Sequence, residues 1–600
     1  MRVKARKGLT ALTISILVVA SALAGCSNNT NGNTNATKAP SVTKNTNTAV
    51  ENIGDNKDNG DKPLWDFKYD PPVTITTALI DEDRPNAFKQ GETLEDNIHS
   101  EWMEENLGII TKYEWTVGKP EDYQTKLQLA LATNVKLPDT FYADGDVLQN
   151  LITAGKLMPI NDAIDKYASP TLKAVFEKYP YVLGELSRDG KIYGIPRFFM
   201  GDEGTVMWLR KDWLDKLSLE APTTLDELET VMKAFSEEDP NGNGQDDEVG
   251  WAVPLKEGPW TWMGQSDAIF GAYTEHMINT YDIKSYWNED ENGNLVYGAV
   301  HPDAKKYLET MRDWMSKGYI DSEAGVKDPS KSAELAASGK AGLMFGPYWM
   351  GAWPLSDTEK IDPNADWEPY PLPAGPDGEV RLAQKTLYGG GLVFRKDFDN
   401  IEAWFAYYNK ILAKAAGPDD PYYDPRFKDG FHEGYDYVTY NGKVYTGNYK
   451  EAGVPEDKWP LPDGNNIDMR WMVSPLFGTN TPQVPYMNTE AIEKFVANPD
   501  AEAATPIEVS VKSLNSAQLQ GAGINVKQRE YEVPNLFTGA ATPTMKKNGE
   551  FLQKLATETY LQIIYGEKPL DYFDQFVKEW NKNGGEKITA EVNEWYKNNK

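Results

Sequence analysis

Between residues 222 and 262 the apolar positions first recur every third or fourth residue and then stop. Leu225, Leu228, Val231, Met232 and Phe235 line one face of a helix at this spacing. Thr224 stands where its hydroxyl can cap the first turn, and Glu227, three residues on, completes a capping box. The same period predicts helices at 97–107, 122–134, 304–317, 402–415, 551–565, 571–581 and 589–596, with Gly584-Gly585 ending the helix before the last. Leu127, Leu129, Ala130 and Leu131 are expected on or near the buried side of the helix at 122–134. Short runs at 73–80, 113–115, 140–143, 207–210 and 339–345 read as strands. Strands alternating with helices imply an α/β architecture, in which ligands gather at the carboxyl ends of the strands. Asp83, Arg84, Asp144 and Asp146 follow predicted strands and are candidate cleft residues on that ground, although a loop residue of this kind is more often simply solvated. Residues 418–468, dense in Asp, Tyr, Gly and Pro, read as an irregular insertion.

The first sixty residues follow a different pattern. Arg2, Lys4, Arg6 and Lys7 precede an apolar run at 9–24, which is too short and wrongly flanked for a lasting transmembrane span. Residues 1–25 are therefore expected to be a signal peptide. Leu23-Ala24-Gly25-Cys26 looks like a bacterial lipobox, in which the cysteine is lipidated and becomes the mature N-terminus; the alternative is an ordinary secretory leader with an accidental cysteine. Cys26 is the only cysteine, so disulfides and thiolate metal sites are excluded. Residues 26–62, rich in Asn, Thr, Lys, Gly and Asp, bury too little to offset their ordering entropy and read as a disordered tether.

Composition narrows the partners. Six hundred residues are too many for one core and imply a two-domain body. Lys+Arg 61 against Asp+Glu 91 leaves a formal charge of −30, which argues against nucleic acid or an anionic lipid surface. His99, His276, His301 and His432 are scattered without the HExxH spacing, so a catalytic zinc is not expected.

The helix at 225–235 runs into Asp239-Pro240-Asn241-Gly242-Asn243-Gly244-Gln245-Asp246-Asp247-Glu248. Oxygen side chains at the first, third and fifth positions converge if the backbone curls, and Gly244, at the sixth, permits the curl because it can take positive φ. This is the opening of an EF-hand-style loop, whose hard oxygens suit Ca²⁺. The twelfth position is Gly250, not the usual glutamate, so Asp247 and Glu248 are expected to finish the shell with the Gln245 carbonyl. The predicted set for a structural calcium is Asp239, Asn241, Asn243, Gln245, Asp247 and Glu248; the alternative is a solvated Asx-rich turn.

Asp189-Gly190-Lys191-Ile192-Tyr193-Gly194-Ile195-Pro196, Ser338-Gly339-Lys340-Ala341-Gly342-Leu343-Met344 and Gly346-Pro347-Tyr348-Trp349, taken with Cys26, resemble the carbohydrate-binding extracellular solute-binding proteins of bacterial ABC importers. The end of the chain, from Asn535-Leu536-Phe537 to Trp595-Tyr596, is similar to their larger lipoprotein branch, which includes alginate-oligosaccharide-binding proteins with a calcium site like 239–248. The resemblance implies a two-lobed, periplasmic-binding-protein-like fold of type II with hinge strands and a central cleft. Lobe one is then expected at 65–195 plus 390–480 and lobe two at 200–370 plus 480–600, with crossings near 193–199 and 370–388. It further implies a monomeric receptor, held to the cell membrane only by its N-terminal lipid and facing outward, that delivers an oligosaccharide to ABC permease subunits. A pyranose lays its C–H patch on an aromatic plane and needs charged or amide partners for its hydroxyls. Tyr348 and Trp349 resemble the family's platform positions. Trp260, Trp262, Trp353 and Tyr388 are further candidates, and Arg197 and Arg210 could fork onto hydroxyls or a uronate, or pair within the chain.

Two other classes compete. A secreted glycoside hydrolase needs two placed carboxylates, and an acidic chain always offers candidates. Gly264-Gln265-Ser266-Asp267-Ala268 misses the nucleophile elbow at its last residue, and Gly389-Gly390-Gly391 lacks the lysine and serine of a phosphate loop, so neither supports chemistry. A surface adhesion lipoprotein would share the anchor and tether but would not need a closable cleft.

Overall fold

The computed structural model of the chain describes residues 63–599, except 82–85, 134, 201–203, 246, 259–260, 265, 275, 278–281, 385–386 and 479. The expected signal peptide, Cys26 and the tether lie outside the described residues, as do Asp83, Arg84 and Trp260.

Two sheets organise the described chain. In the first, Tyr388–Phe394 lies between Thr140–Ala143 and Gly194–Phe198, antiparallel to both. A parallel pair, Val73–Ile80 with Ile109–Val117, stands beside it. In the second sheet the order is Trp367–Tyr370, Val206–Arg210, Ala341–Gly346, Val249–Trp251. Val206–Arg210 and Ala341–Gly346 are buried on both faces, which explains why they read as unbroken apolar runs. The chain leaves the first sheet at Phe198 and enters the second at Val206; it returns between Tyr370 and Tyr388.

The cores divide the same way. Met207, Leu209, Trp251, Leu343 and Phe345 of the second sheet share one cluster with Trp213, Phe235, Trp314, Tyr560 and Trp580. Ile195, Phe198, Leu392 and Phe394 of the first share another with Trp404, Tyr407, Tyr408 and Phe477. No strand contributes to both of these clusters, so each sheet has its own core, and the body is a two-lobed α/β fold.

The expected boundary after 480 needs a correction. Pro485–Ala497 and Pro506–Lys512 bury Ala491, Ile492, Phe495, Ile507 and Val511 in the core of the first sheet, not the second. Ser516–Gln528 then straddles the division. Its Ala522 joins the first core, while Ala517 and Ile524 pack with Trp208 and Met344.

Local patterning explains most elements. Thr224 Oγ1 accepts from Glu227 N at 3.3 Å and starts Leu225–Glu237, whose five predicted apolar residues are all buried. The Glu227 carboxylate reaches one residue beyond the capping box, to the backbone N–H and hydroxyl of Thr223, both at 2.8 Å. In Pro120–Thr133, Tyr123, Leu127 and Ala130 are buried but Leu129 is 56% exposed, because two residues past Leu127 the helix has turned to solvent. Gly584, at φ 125°, breaks the chain between Tyr572–Trp580 and Glu586–Asn599. The 418–468 insertion contains a hairpin, Val438–Tyr440 with Lys443–Tyr445, and Asp424 ties it down through an ion pair with Lys410 at 2.8 Å. Among the described residues no helix is long and apolar enough to cross a membrane.

Candidate functional site

Ala341–Gly346 runs through the second core and must emerge where it ends. At Gly346 a Cβ would meet the Met350 sulfur at 2.3 Å, so a larger residue there would push the Met350 side chain aside. Pro347 stops the strand, its carbonyl accepting from Trp208 Nε1 at 3.2 Å, and a 3-10 turn at Tyr348–Gly351 follows. A second segment reaches the same place. Thr261 donates to the Met263 carbonyl at 2.6 Å and both residues are buried, which leaves Trp262 between them turned outward.

Three indoles result in a ladder. Trp262 and Trp349 stack at 5.8 Å between ring centroids with planes 23° apart, and Trp349 and Trp353 at 6.3 Å and 16°. Trp262 and Trp353 are each 47% exposed. Near-parallel planes displaced by about a sugar's width, open on both outer members, form an apolar surface of the kind that C–H patches cover. Tyr348 is not part of it. Its side chain turns the other way and lies half-buried against the Ser516–Gln528 helix, where Gly521 leaves room for it, and against the first core.

The polar groups stand at the facing end of the first sheet. The Tyr142 hydroxyl donates to Asp144 Oδ2 at 2.8 Å, and Gln124 Nε2 donates to the other Asp144 oxygen at 2.8 Å. The Arg197 guanidinium lies 4.3 Å over the Tyr142 ring and 5.9 Å from the Phe199 ring centre. Its Nε is buried without a hydrogen-bond partner, and no described acid pairs with it. Glu185 accepts from Gly145 N at 3.0 Å, and burial pushes its carboxyl up, with Lys284 pulling the other way. Tyr388 is half-buried, and burial, with Glu185 adding to it, pushes its hydroxyl up to about 12. Arg197 precedes the first crossing between sheets, and Tyr348 follows a strand whose end, Gly346, pairs with Val206 on the far side of that crossing. Both groups therefore sit at the hinge-side ends of their sheets.

Arg210 does not belong here. It is 1% exposed, forks onto Asp212 at 2.7 and 2.6 Å, reaches Asp362 at 3.0 Å and stacks 4.6 Å over Trp213. Asp212, two residues on, folds back to satisfy a charge that could not otherwise be buried, so Arg210 is a packing residue. Asp146 is also engaged, accepting from Ala541 N at 3.1 Å and pairing with Lys546 at 3.3 Å, which ties the first lobe to Pro543–Ile564 of the second.

Sequence reasoning missed Tyr142, Glu185 and Phe199, and also a cavity between the lobes. About 840 Å³ opens between Gln149, Gly184 and Arg188 on the first lobe and Phe537, Glu591 and Trp595 on the second. Arg188 is held there by Gln149 Oε1 and Thr153 Oγ1, both at 2.6 Å. The tryptophan ladder lies outside it. The signal for Arg188 was its place beside the Asp189-Gly190 turn; nothing local marks its partner wall, which comes from nearly four hundred residues away.

The acidic loop curls as its spacing requires. Asn241 Oδ1 accepts from Asn243 N at 2.8 Å, Asn243 Oδ1 from Gln245 N at 2.6 Å and Asp239 Oδ2 from Gly244 N at 3.1 Å, with Gly244 at φ 73°. Asp247 is held by Asn243 at 3.0 Å and Lys340 at 2.7 Å. Asp239 Oδ1 and Glu248 Oε1 are buried with no hydrogen-bond donor. Burial pushes the Glu248 carboxyl up, and the charges of Asp247 and Asp239 add to it. Two orphaned carboxylate oxygens beside hard amide and carbonyl oxygens fit a calcium ion.

The family model for bacterial extracellular solute-binding proteins matches residues 87–418. The chain is 27% identical over 462 residues to the polygalacturonan/rhamnogalacturonan-binding protein YtcQ of Bacillus subtilis (strain 168), covering 75% of this chain and 78% of that one. It is 29% identical over 308 residues to the fructooligosaccharide ABC transporter substrate-binding protein FusA of Streptococcus pneumoniae, covering 49% and 52%; FusA has also been solved as an EF-hand mutant in complex with fructo-nystose. Among solved structures, an extracellular solute-binding protein from Bifidobacterium longum subsp. infantis superposes with a TM-score of 0.62 at 18% identity, over 88% of this chain and 99% of that one.

Proposed function

This chain belongs to the bacterial extracellular solute-binding proteins, and on that premise we propose that it captures an oligosaccharide between its lobes for an ABC permease, breaking no bond. The observation that carries this reading is the exposed Trp262–Trp349–Trp353 ladder beside the crossing between the sheets. Trp349 and its two neighbours supply the stacking surface. Arg197 on the opposite lobe, without an acid partner among the described residues, supplies a fork for hydroxyls or a carboxylate, with Tyr142 and Asp144 beside it. Trp260, next to the ladder in sequence, remains a candidate contact. Closing the lobes buries the sugar and presents the permease with a changed shape.

The chain is read as a monomeric lipoprotein, processed after residue 25, lipidated at Cys26 and tethered by residues 26–62 to the outer face of the cell membrane. Calcium, bound by Asp239, Asn241, Asn243, Gln245, Asp247 and Glu248, would neutralise buried carboxylates and pin the end of the Leu225–Glu237 helix. The relatives that support these readings are substrate-binding proteins, one of them solved as an EF-hand mutant.

Calorimetric titration with a panel of neutral and uronate oligosaccharides tests the proposal, with reducing-end release measured in the same tubes. Saturable binding without release supports a receptor. Release of new reducing ends would replace it with a hydrolase.

A further inference from the structure

Outside the cleft and the acidic loop, one cluster of metal-binding side chains stands without an assigned role. Gly298 brings it together. A Cβ there would lie 1.9 Å from the Met277 carbonyl, so glycine alone lets the 276–277 backbone press against the turn that leads to His301. The imidazoles of His276 and His301 stack at 3.8 Å with planes 19° apart. Asp303, just before the Ala304–Ser316 helix, points Oδ2 at both rings, 3.3 Å from His301 Nδ1 and 4.0 Å from His276 Nδ1. The ligating atoms of all three lie within 4.8 Å of one another.

We propose that His276, His301 and Asp303 form a second metal site, for zinc or a similar borderline-soft divalent cation, separate from the calcium loop. A tetrahedral zinc with arms of about 2.0–2.1 Å sets its ligand atoms roughly 3.3 Å apart, and because each imidazole lone pair lies in its ring plane, the His276 ring must rotate out of the stack to share the ion with His301. Two imidazoles and one carboxylate are the donor set that selects zinc, nickel or copper, while the all-oxygen loop at 239–248 selects calcium. His276 is 8% exposed; its Nδ1, the nitrogen turned to Asp303, also meets the Thr274 hydroxyl at 3.2 Å, and its Nε2 is buried without a hydrogen-bond partner. The Thr274 hydroxyl donates to Asp303 Oδ2 at 3.0 Å, beside the rings, and Lys306 holds Oδ1 at 3.1 Å, on the side away from them, in the way outer partners orient metal ligands. His301 and Asp303 are partly open to solvent, which gives the ion an entry path and a water for its fourth position. A bound ion would link the 274–277 segment to the helix at 304–316, a cross-link within the second lobe.

The test is zinc titration of the whole chain with calcium saturating, followed by cobalt substitution. One equivalent of zinc and the visible d–d bands of tetrahedral cobalt are expected. His301→Ala and Asp303→Asn should each weaken zinc binding tenfold or more with calcium binding unchanged. Thermal melts without zinc check that the variants fold, and His432→Ala controls for the pair formed by His99 Nδ1 and His432 Nε2, 2.9 Å apart in the first lobe. Absence of zinc binding, binding undiminished in both His301→Ala and Asp303→Asn, or loss only in His432→Ala would overturn the proposal.

Discussion

The two sides of the hinge are built on different principles. On the second lobe the ladder of Trp262, Trp349 and Trp353 offers parallel ring planes and almost no polar partner. On the first lobe Tyr142, Asp144, Gln124 and Glu185 are already hydrogen-bonded to one another or to backbone, while Arg197 stacks on Tyr142 and has no acid partner among the described residues. An apolar platform gives affinity through area removed from water and tolerates many sugars. A pre-bonded polar wall loses little freedom on binding and rejects ligands that cannot satisfy its one open donor set. Affinity should therefore reside mainly on one side and selectivity on the other.

The largest break in that contrast should come from the middle of the ladder. Trp349→Ala is expected to lower oligosaccharide affinity about a hundredfold, roughly 2–3 kcal/mol, as loss of a central aromatic anchor does, and Trp262→Ala or Trp353→Ala about tenfold. Trp595→Ala, in the wall of the cavity of about 840 Å³ between the lobes, should change affinity less than twofold; if it matters more than Trp349→Ala, the sugar lies in that cavity instead. Arg197→Met should cost about tenfold and act on selectivity. Compared across matched neutral and acidic oligosaccharides, an equal loss means the guanidinium reads hydroxyls, and a larger loss for the acidic one means it reads a carboxylate.

Calcium should act on the platform side only. Glu248→Gln, or chelation, is expected to lower the melting temperature by about 1 °C for each kcal/mol of stability lost, the scale for a chain of this size, and chelation should then have no further effect on Glu248→Gln. A wild-type melt indifferent to chelator would remove calcium from the account.

The last expected effect is on stability alone and lies in the first lobe. Burial pushes His432 down to about 4 and, with His432 beside it, holds His99 well below its ordinary value. Unfolded imidazoles take up protons near pH 6.5. Between there and about pH 4 the unfolded chain binds more protons, so stability falls as the pH drops, by up to about 1.4 kcal/mol per pH unit for each ring. His432→Gln should flatten that slope in a series of denaturant melts; an unchanged slope would assign it to carboxylates.

Which parts were legible in the sequence follows from what each depends on. The Leu225–Glu237 helix and the curl of 239–245 depend on spacing and on Gly244, so they could be read locally. So could the emergence of Trp349 after Gly346-Pro347. Tyr348, its neighbour, could not. Its burial depends on a helix more than 160 residues on, where Gly521 happens to make room. Arg210 looked like a ligand contact because the composition of Trp-Leu-Arg-Lys-Asp does not show that Asp212 folds back on it. Leu129 was assigned inward by composition where the helical phase sets it outward. Pro485–Lys512 followed the second lobe in the chain but packs on the first, since its apolar faces match a core assembled from distant segments.

The central claim is that the two lobes hold a saccharide and leave it intact. Titrating the calcium-loaded chain with the oligosaccharide panel in a calorimeter tests it directly. The account predicts saturable, one-to-one heat for at least one sugar, largely abolished in Trp349→Ala, with the sugar recovered unchanged. Folded, calcium-loaded protein that gives no saturable heat with any of them, or that returns a shortened sugar, would contradict it.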